Sequence, residues 1–108
     1  LLESYLEQHY MEKLSLSSIS RQLNIGRTKL CALAKELSGG KTLTYLIAQR
    51  RVQAAKTLLA QTNLPISEVA DSVGINDYNY FSKIFRSIAG TTPSAYRKSK
   101  RSLSRKSQ

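Results

Sequence analysis

The sequence predicts an all-α fold of about seven helices, in which a short tri-helical unit occurs twice and one long linker helix joins the copies. Apolar residues recur at helical spacing along most of the chain, a stretch of twenty residues lacks Gly and Pro, and a pattern of small, apolar and turn residues returns after fifty positions. With 108 residues and 41% hydrophobic content, the chain can bury one compact core or two very small lobes sharing a helix, but not two ordinary domains.

Leu2, Leu6 and Tyr10, with Tyr5 and His9 beside them, predict an amphipathic helix over 2–11. Met11 to Ser15 breaks that pattern. Ser17 or Ser18 is then expected to cap a second short helix carrying Ile19 and Leu23. Asn24-Ile25-Gly26 supplies a turn before a third helix with Leu30, Leu33 and Leu37 inward, and Gly39-Gly40 stops it. From Thr42 to Gln61, good helix formers and apolar Leu43, Leu46, Ile47, Val52, Ala55, Leu58 and Leu59 predict one continuous helix, roughly 30 Å long at 1.5 Å per residue. Pro65 disfavours helical geometry in Leu64 and ends it. Helices are expected at 66–73, 79–88 and 93–98, the last with Thr92 as cap and Pro93 in the first helical position.

The internal repeat organises these elements. Leu16, Ser17, Ile19, Ser20, Leu23 and Ile25 correspond, fifty residues on, to Ile66, Ser67, Val69, Ala70, Val73 and Ile75. Beyond the turn the offset is fifty-one, pairing Leu30 with Phe81, Leu33 with Ile84, Ala34 with Phe85, Lys35 with Arg86, Gly39 with Gly90 and Tyr45 with Tyr96. Two helices that cross closely need a small residue on the first, a turn residue tolerant of unusual backbone angles and apolar residues where they meet. Ile66 to Ile75 meets each need with Ala70, Gly74 and Val69, Val73 and Ile75. The chain therefore divides into a first helix-turn-helix subdomain at 1–41, a linker helix at 42–61, a second helix-turn-helix subdomain at 62–98 and a basic flexible tail at 99–108.

Charge narrows the partner. Seventeen Lys and Arg against seven Asp and Glu give a net +10, a field that favours nucleic acid, an anionic membrane surface or an acidic protein. Six bases and no acid lie between Arg97 and Gln108, leaving +4 on the preceding ninety-six residues. Such a Ser-rich basic end buries too little apolar surface to offset the entropy of ordering, so mobility is expected there. Two recognition helices on a rigid spacer of roughly 30 Å can enter successive major grooves, which repeat about every 34 Å. A basic protein-interaction module or an RNA-binding helical domain uses the same charge and stays open at this point.

The single Cys31 rules out an internal disulfide and a Cys-rich zinc site, and fits a reducing cytoplasm. His9 has no companions at ligand spacing, so no metal or cofactor is expected, and neither a phosphate loop nor a nucleophile motif points to an enzyme. No apolar run approaches the roughly 20 residues of a membrane span. Because Leu1 opens inside a helix, the chain reads as the C-terminal piece of a longer protein.

Ile66-Ser67-Glu68-Val69-Ala70 through Gly74-Ile75, then Tyr80-Phe81-Ser82-Lys83-Ile84-Phe85-Arg86 and Gly90-Thr91-Thr92-Pro93-Ser94-Ala95-Tyr96-Arg97, resemble the C-terminal signature of the AraC/XylS transcription regulators. Arg51 to Leu59 also looks like that family's linker, and the resemblance covers about residues 2–98. It implies a bacterial, sequence-specific binder of double-stranded DNA, more often an activator that contacts RNA polymerase, with a missing N-terminal domain that senses a small molecule or dimerises.

The resemblance also places Tyr78, Asn79, Tyr80, Ser82 and Lys83 at or near groove-facing positions. Asn79 suits adenine through two hydrogen bonds and Lys83 suits guanine, while Arg86 is expected on phosphate and Phe81 and Phe85 in the core. For Tyr80, core and groove are both open. In the first unit the candidates are Arg27, Thr28, Lys29 and Cys31, the bases lying near a helix N-terminus that favours phosphate. Arg97 and Lys98 are further phosphate candidates, with Gln49 and Arg50 behind them. The first unit departs from the family's pattern: Ser20 replaces a usual Ala, Gly26 a Ser cap, Ala32 a long polar residue and Ala34 a Phe, and in the second unit Ile75 replaces a Phe. Cys31 and Ala32 offer little to a base edge, so the first unit is expected to grip phosphates more than it reads sequence.

Overall fold

The computed structural model describes the backbone of residues 2–106 and the side chains of residues 2–100. Among the described residues it is all helical: α1 (Leu2–His9), α2 (Leu16–Leu23), α3 (Arg27–Leu37), α4 (Leu43–Gln61), α5 (Ile66–Ser72), α6 (Tyr78–Ala89) and α7 (Pro93–Lys106). Two compact units divide the chain, Leu1–Arg50 and Arg51–Gln108, with α4 contributing residues to each.

In the first unit α3 packs on α1 and α2. The core joins Leu2 and Leu6 of α1, Ile19 of α2, Leu30 and Ala34 of α3, and Leu43, Leu46 and Ile47 of α4, with Tyr5, Leu14, Leu16, Leu23, Ile25 and Leu33 packed around it. The cap of α2 is Ser15, not Ser17 or Ser18. The Ser15 hydroxyl accepts the Ser18 amide at 3.1 Å while the Ser18 hydroxyl accepts the Ser15 amide at 3.0 Å, a reciprocal capping box with Ser in place of the usual Glu or Gln. Leu37, expected inward, is 37% exposed at the end of α3.

The second unit adds two phenylalanines to a core otherwise made of aliphatic side chains. Val52, Ala55 and Leu59 of α4, Val69 and Ala70 of α5, Val73 and Ile75 of the turn, and Phe81 and Phe85 of α6 are buried. The rings of Phe81 and Phe85 lie 5.8 Å apart, and Tyr96 of α7 meets Phe85 edge-on at 5.8 Å. Each buried phenylalanine contributes about 1.5–3 kcal/mol relative to exposure. Thr92 caps α7 as expected, its hydroxyl accepting the Ala95 amide at 3.2 Å, and Pro93 is buried. That helix continues to Lys106 instead of ending at Lys98; Ser107 and Gln108 of the expected tail lie outside the described residues. No helix among the described residues is long and apolar enough to cross a membrane.

Candidate nucleic-acid interface

Both turns are closed by the same backbone bonds. The Ile25 amide donates to the Ser20 carbonyl at 3.1 Å, and fifty residues on the Ile75 amide donates to the Ala70 carbonyl at 2.9 Å. Each turn needs one left-handed residue, supplied by Asn24 (φ 56°) and Gly74 (φ 91°), as the reading of Gly74 anticipated. Ser20, at the crossing point where the second unit has Ala70, spends its hydroxyl on the Ile25 carbonyl. A half-buried hydroxyl is thereby satisfied inside its own turn, which makes the replacement of Ala tolerable.

These turns set α3 and α6 with one face inward and one outward. On α6 the inward face holds Phe81 and Phe85, and the outward stripe holds Asn79, Lys83 and Arg86 at i, i+4 and i+7, all exposed. Tyr78 and Tyr80 flank its first turn at 48% and 45% exposure, so Tyr80 belongs to the surface and not the core; Ser82 is half-buried at the edge of the stripe. On α3, Leu30 and Ala34 point inward, and the matching stripe is Thr28, Ala32 and Lys35, with Arg27, Lys29 and Cys31 exposed around it. Lys35 occupies the register of Arg86. Its pairing with Arg86 in the repeat makes it a further candidate.

The helix starts differ. Asp77 caps α6 by accepting the Tyr80 amide at 3.2 Å, placing a carboxylate on that terminus. Gly26 begins α3 with no side-chain cap, leaving its first amides and the positive end of its dipole to solvent or to an anion. Arg27 stands there with its guanidinium donating to the Ser17 hydroxyl at 2.6 Å, which holds it across the start of α2. Small Cys31 and Ala32 leave a concavity of about 370 Å³ on α3, lined also by Lys35, Lys41, Thr42 and Leu43.

Three arginines are placed in ways the sequence did not show. Arg97 is half-buried and its Nε donates to the Leu59 carbonyl at 3.1 Å, tying α7 to the end of α4. Arg50 turns toward Glu3 of α1 at 3.9 Å, with its Nε buried. Arg51, by contrast, lies within electrostatic reach of Tyr80 on α6; burial pushes its guanidinium below the usual arginine range, partly offset by that phenol. Lys98 is exposed, and Gln49 is half-buried. His9 stacks on Tyr5 at 4.4 Å and pairs with Glu12 at 2.5 Å, and the described residues contain no group of three or more metal-ligating side chains.

The model of a family described as a helix-turn-helix domain matches residues 19–99. The arabinose operon regulatory protein of Escherichia coli K12 is 30% identical over 94 residues, 86% of this chain and 32% of that protein. A solved structure from Chromobacterium violaceum, a transcriptional regulator with an AraC-type DNA-binding domain, is 26% identical with a TM-score of 0.82, covering 90% of this chain and 86% of that one. The chain belongs to the AraC/XylS family of regulators. Another relative, the AdaA protein of Bacillus subtilis, described as a bifunctional transcriptional activator and DNA repair enzyme, is 35% identical over 97 residues, 90% of this chain and 46% of AdaA. The fold also matches the DNA-binding domain of AdpA solved with a target DNA, at a TM-score of 0.82 and 23% identity over 93% of this chain and 89% of that one. The chain thus spans between 32% and 46% of the length of these curated relatives. As an AraC/XylS-family helix-turn-helix domain it is the part of such a regulator that binds DNA by sequence.

Proposed function

We propose that this domain serves a bacterial transcription activator in the cytoplasm, inserting α3 and α6 into two adjacent major-groove segments of double-stranded DNA. The observation that carries this reading is the exposed Asn79–Lys83–Arg86 stripe, opposite buried Phe81 and Phe85 and matched in register by Thr28–Ala32–Lys35. Asn79 presents the donor and acceptor pair that suits adenine, and Lys83 a donor for guanine O6 or N7. Tyr78, Tyr80 and Ser82 border that contact, with Tyr80 within electrostatic reach of Arg51. Arg86 takes phosphate.

On α3 the uncapped terminus, Arg27, Thr28 and Lys29 fit phosphate, and Cys31 and Ala32 offer no strong base donor, so this helix grips. Lys98 extends the phosphate contacts beside Arg97, whose Nε donates to the Leu59 carbonyl. In the full-length protein a separate N-terminal domain supplies effector sensing or dimerisation, and RNA polymerase is the partner on the promoter. The domain itself has a binding role and no catalytic one.

Selection of tight binders from a random duplex pool at near-physiological salt tests this. Two short motifs about one helical turn apart are expected if both helices dock, with the stronger information content under α6. Winners without any common motif would overturn the assignment of α6 to base reading, and equal binding to duplex RNA would overturn the choice of DNA.

A further inference from the structure

Four of the chain's seven acids, Glu3, Glu7, Glu12 and Glu36, fall in the first unit, and two of them edge a cleft between α1 and α3. The cleft has a volume of about 270 Å³ and is lined by Leu2, Glu3, Leu33, Glu36 and Leu37. Leu2 is buried, Leu33 half-buried and Leu37 exposed, so the apolar lining runs from the core of the unit out to solvent. Neither carboxylate is consumed by the fold. That of Glu36 is exposed and has no ion pair or hydrogen bond among the described residues. That of Glu3 stands 3.9 Å from Arg50, beyond hydrogen-bond reach.

The second unit shows that this cleft is not inherent in the motif. At the matched register α6 carries Ile84, Ser87 and Ile88, with both isoleucines half-buried and no acid between them. Size and charge select the occupant. Small-molecule sites usually measure roughly 300–1,000 Å³; this smaller cleft suits the anchoring side chain of a protein partner. A phosphate or an anionic lipid headgroup would meet two carboxylates of its own sign, whereas a basic segment meets two of the opposite sign. Lys29 lies seven residues before Glu36 on α3, about 10 Å along the axis, so the occupant sits beside the end of α3 that grips phosphate. That placement rests on the DNA-binding reading above; the chemistry of the cleft does not.

We propose that the α1–α3 cleft docks a basic amphipathic helix of a partner protein. Its apolar anchor enters against Leu33 and Leu37, and its Lys or Arg residues, three or four positions to either side, meet Glu3 and Glu36. This contact uses the flank of α3 and leaves the outward stripe of Thr28, Ala32 and Lys35 to DNA.

The test uses a fluorescein-labelled helical peptide of Ala, Lys and Leu, about four turns long, with Leu along one stripe and Lys on both sides of it. A shuffled peptide of the same composition is the control. The chain's net charge of +10 repels either peptide at long range, so only a local site holds one. Fluorescence anisotropy should show binding of the amphipathic peptide alone, and amide shift changes should centre on Leu33, Glu36 and Leu37. An E3Q/E36Q variant should bind it about 2- to 30-fold more weakly, the range for two exposed ion pairs. Leu37→Ala should weaken it about tenfold through lost apolar contact. Because these three residues are exposed, both variants should keep the melting temperature and the preference for a selected duplex over a scrambled one.

Unchanged peptide affinity in either variant, or shift changes centred elsewhere, overturns the cleft as the docking site, as does failure of the unsubstituted chain to bind the amphipathic peptide. Self-association that depends on Leu37, without peptide binding, would make a second copy the occupant and the proposal wrong. Loss of duplex preference in the E3Q/E36Q variant would place the cleft in the DNA interface and overturn it too. An unsubstituted chain that binds the peptide yet prefers no duplex keeps the cleft and overturns the DNA-binding reading instead.

Discussion

The left-handed residue of the turn is Asn24 in the first unit and Gly74 in the second, yet the bond across the turn has nearly the same length in both. Around that shared backbone the two units solve packing and reading differently. Where the second unit places Phe81 and Phe85, the first places Leu30 and Ala34 and draws Leu2 and Leu6 of α1 into its core. Where α6 carries Asn79, Lys83 and Arg86, α3 carries Thr28, Ala32 and Lys35. A helix-turn-helix is thus specified by a few positions at the crossing and the turn. Core volume and outward stripe vary independently around them.

The largest effect expected from this contrast is in the cores. Phe85→Ala removes a fully buried ring that touches both Phe81 and Tyr96 and should cost about 3–5 kcal/mol in urea unfolding. In the first unit the matching Ala34 is fully buried, so Ala34→Phe should destabilise by overpacking, by about 1–3 kcal/mol. If Ala34→Phe stabilised the chain, the first core would be underfilled and not differently packed.

Next in size is the turn. Gly74→Val forces a β-branched residue to φ 91° and should cost more than about 2 kcal/mol, seen as a lower melting temperature. Asn24→Gly, at φ 56°, should change stability by no more than about 0.5 kcal/mol, because Asn already tolerates that conformation. Equal, small effects at both positions would mean that the backbone of the second turn relaxes where that of the first does not.

How much of this was legible in the sequence follows from the range over which each feature is decided. The two units and the linker helix rest on local periodicity and on a repeat that compares the chain with itself, and the outward positions of Asn79 and Lys83 on the resemblance to the family. The capping serine was misplaced because Ser15, Ser17 and Ser18 lie within four residues, and only the reciprocal bond between Ser15 and Ser18 selects the first. The bond from Arg97 to the Leu59 carbonyl is hidden because its two ends lie thirty-eight residues apart. The approach of Arg51 to Tyr80 is hidden for the same reason. The extension of α7 was missed because, between Ser99 and Lys106, Leu103 alone offers an apolar period.

For DNA reading, the contrast predicts an asymmetry between α6 and α3. Lys83→Ala should reduce discrimination between a selected duplex and its single-base variants by about 1–3 kcal/mol, whereas Lys29→Ala should weaken all duplexes alike and lower the salt slope by about 1. Ala32→Lys, which installs in α3 the residue that α6 has at the same register, should raise affinity. Added base preference under the first helix would show that α3 lacks only the side chain; a uniform gain would show that α3 does not present this register to base edges.

The smallest effect separates stability from binding in sign. Gly26→Asp gives α3 the carboxylate cap that Asp77 gives α6, and accepting one orphan amide should stabilise the fold by only a few tenths of a kcal/mol over Gly. The same carboxylate occupies the terminus where the free amides, Arg27 and Lys29 are proposed to meet phosphate, so DNA affinity should fall although the protein melts higher. Asp77→Ala should do the converse, costing about 0.5–2 kcal/mol of stability while easing the approach of phosphate to α6. Two variants that moved affinity and melting temperature in the same direction would show that both helix starts serve the fold alone, and the gripping role of α3 would then have to rest on its side chains.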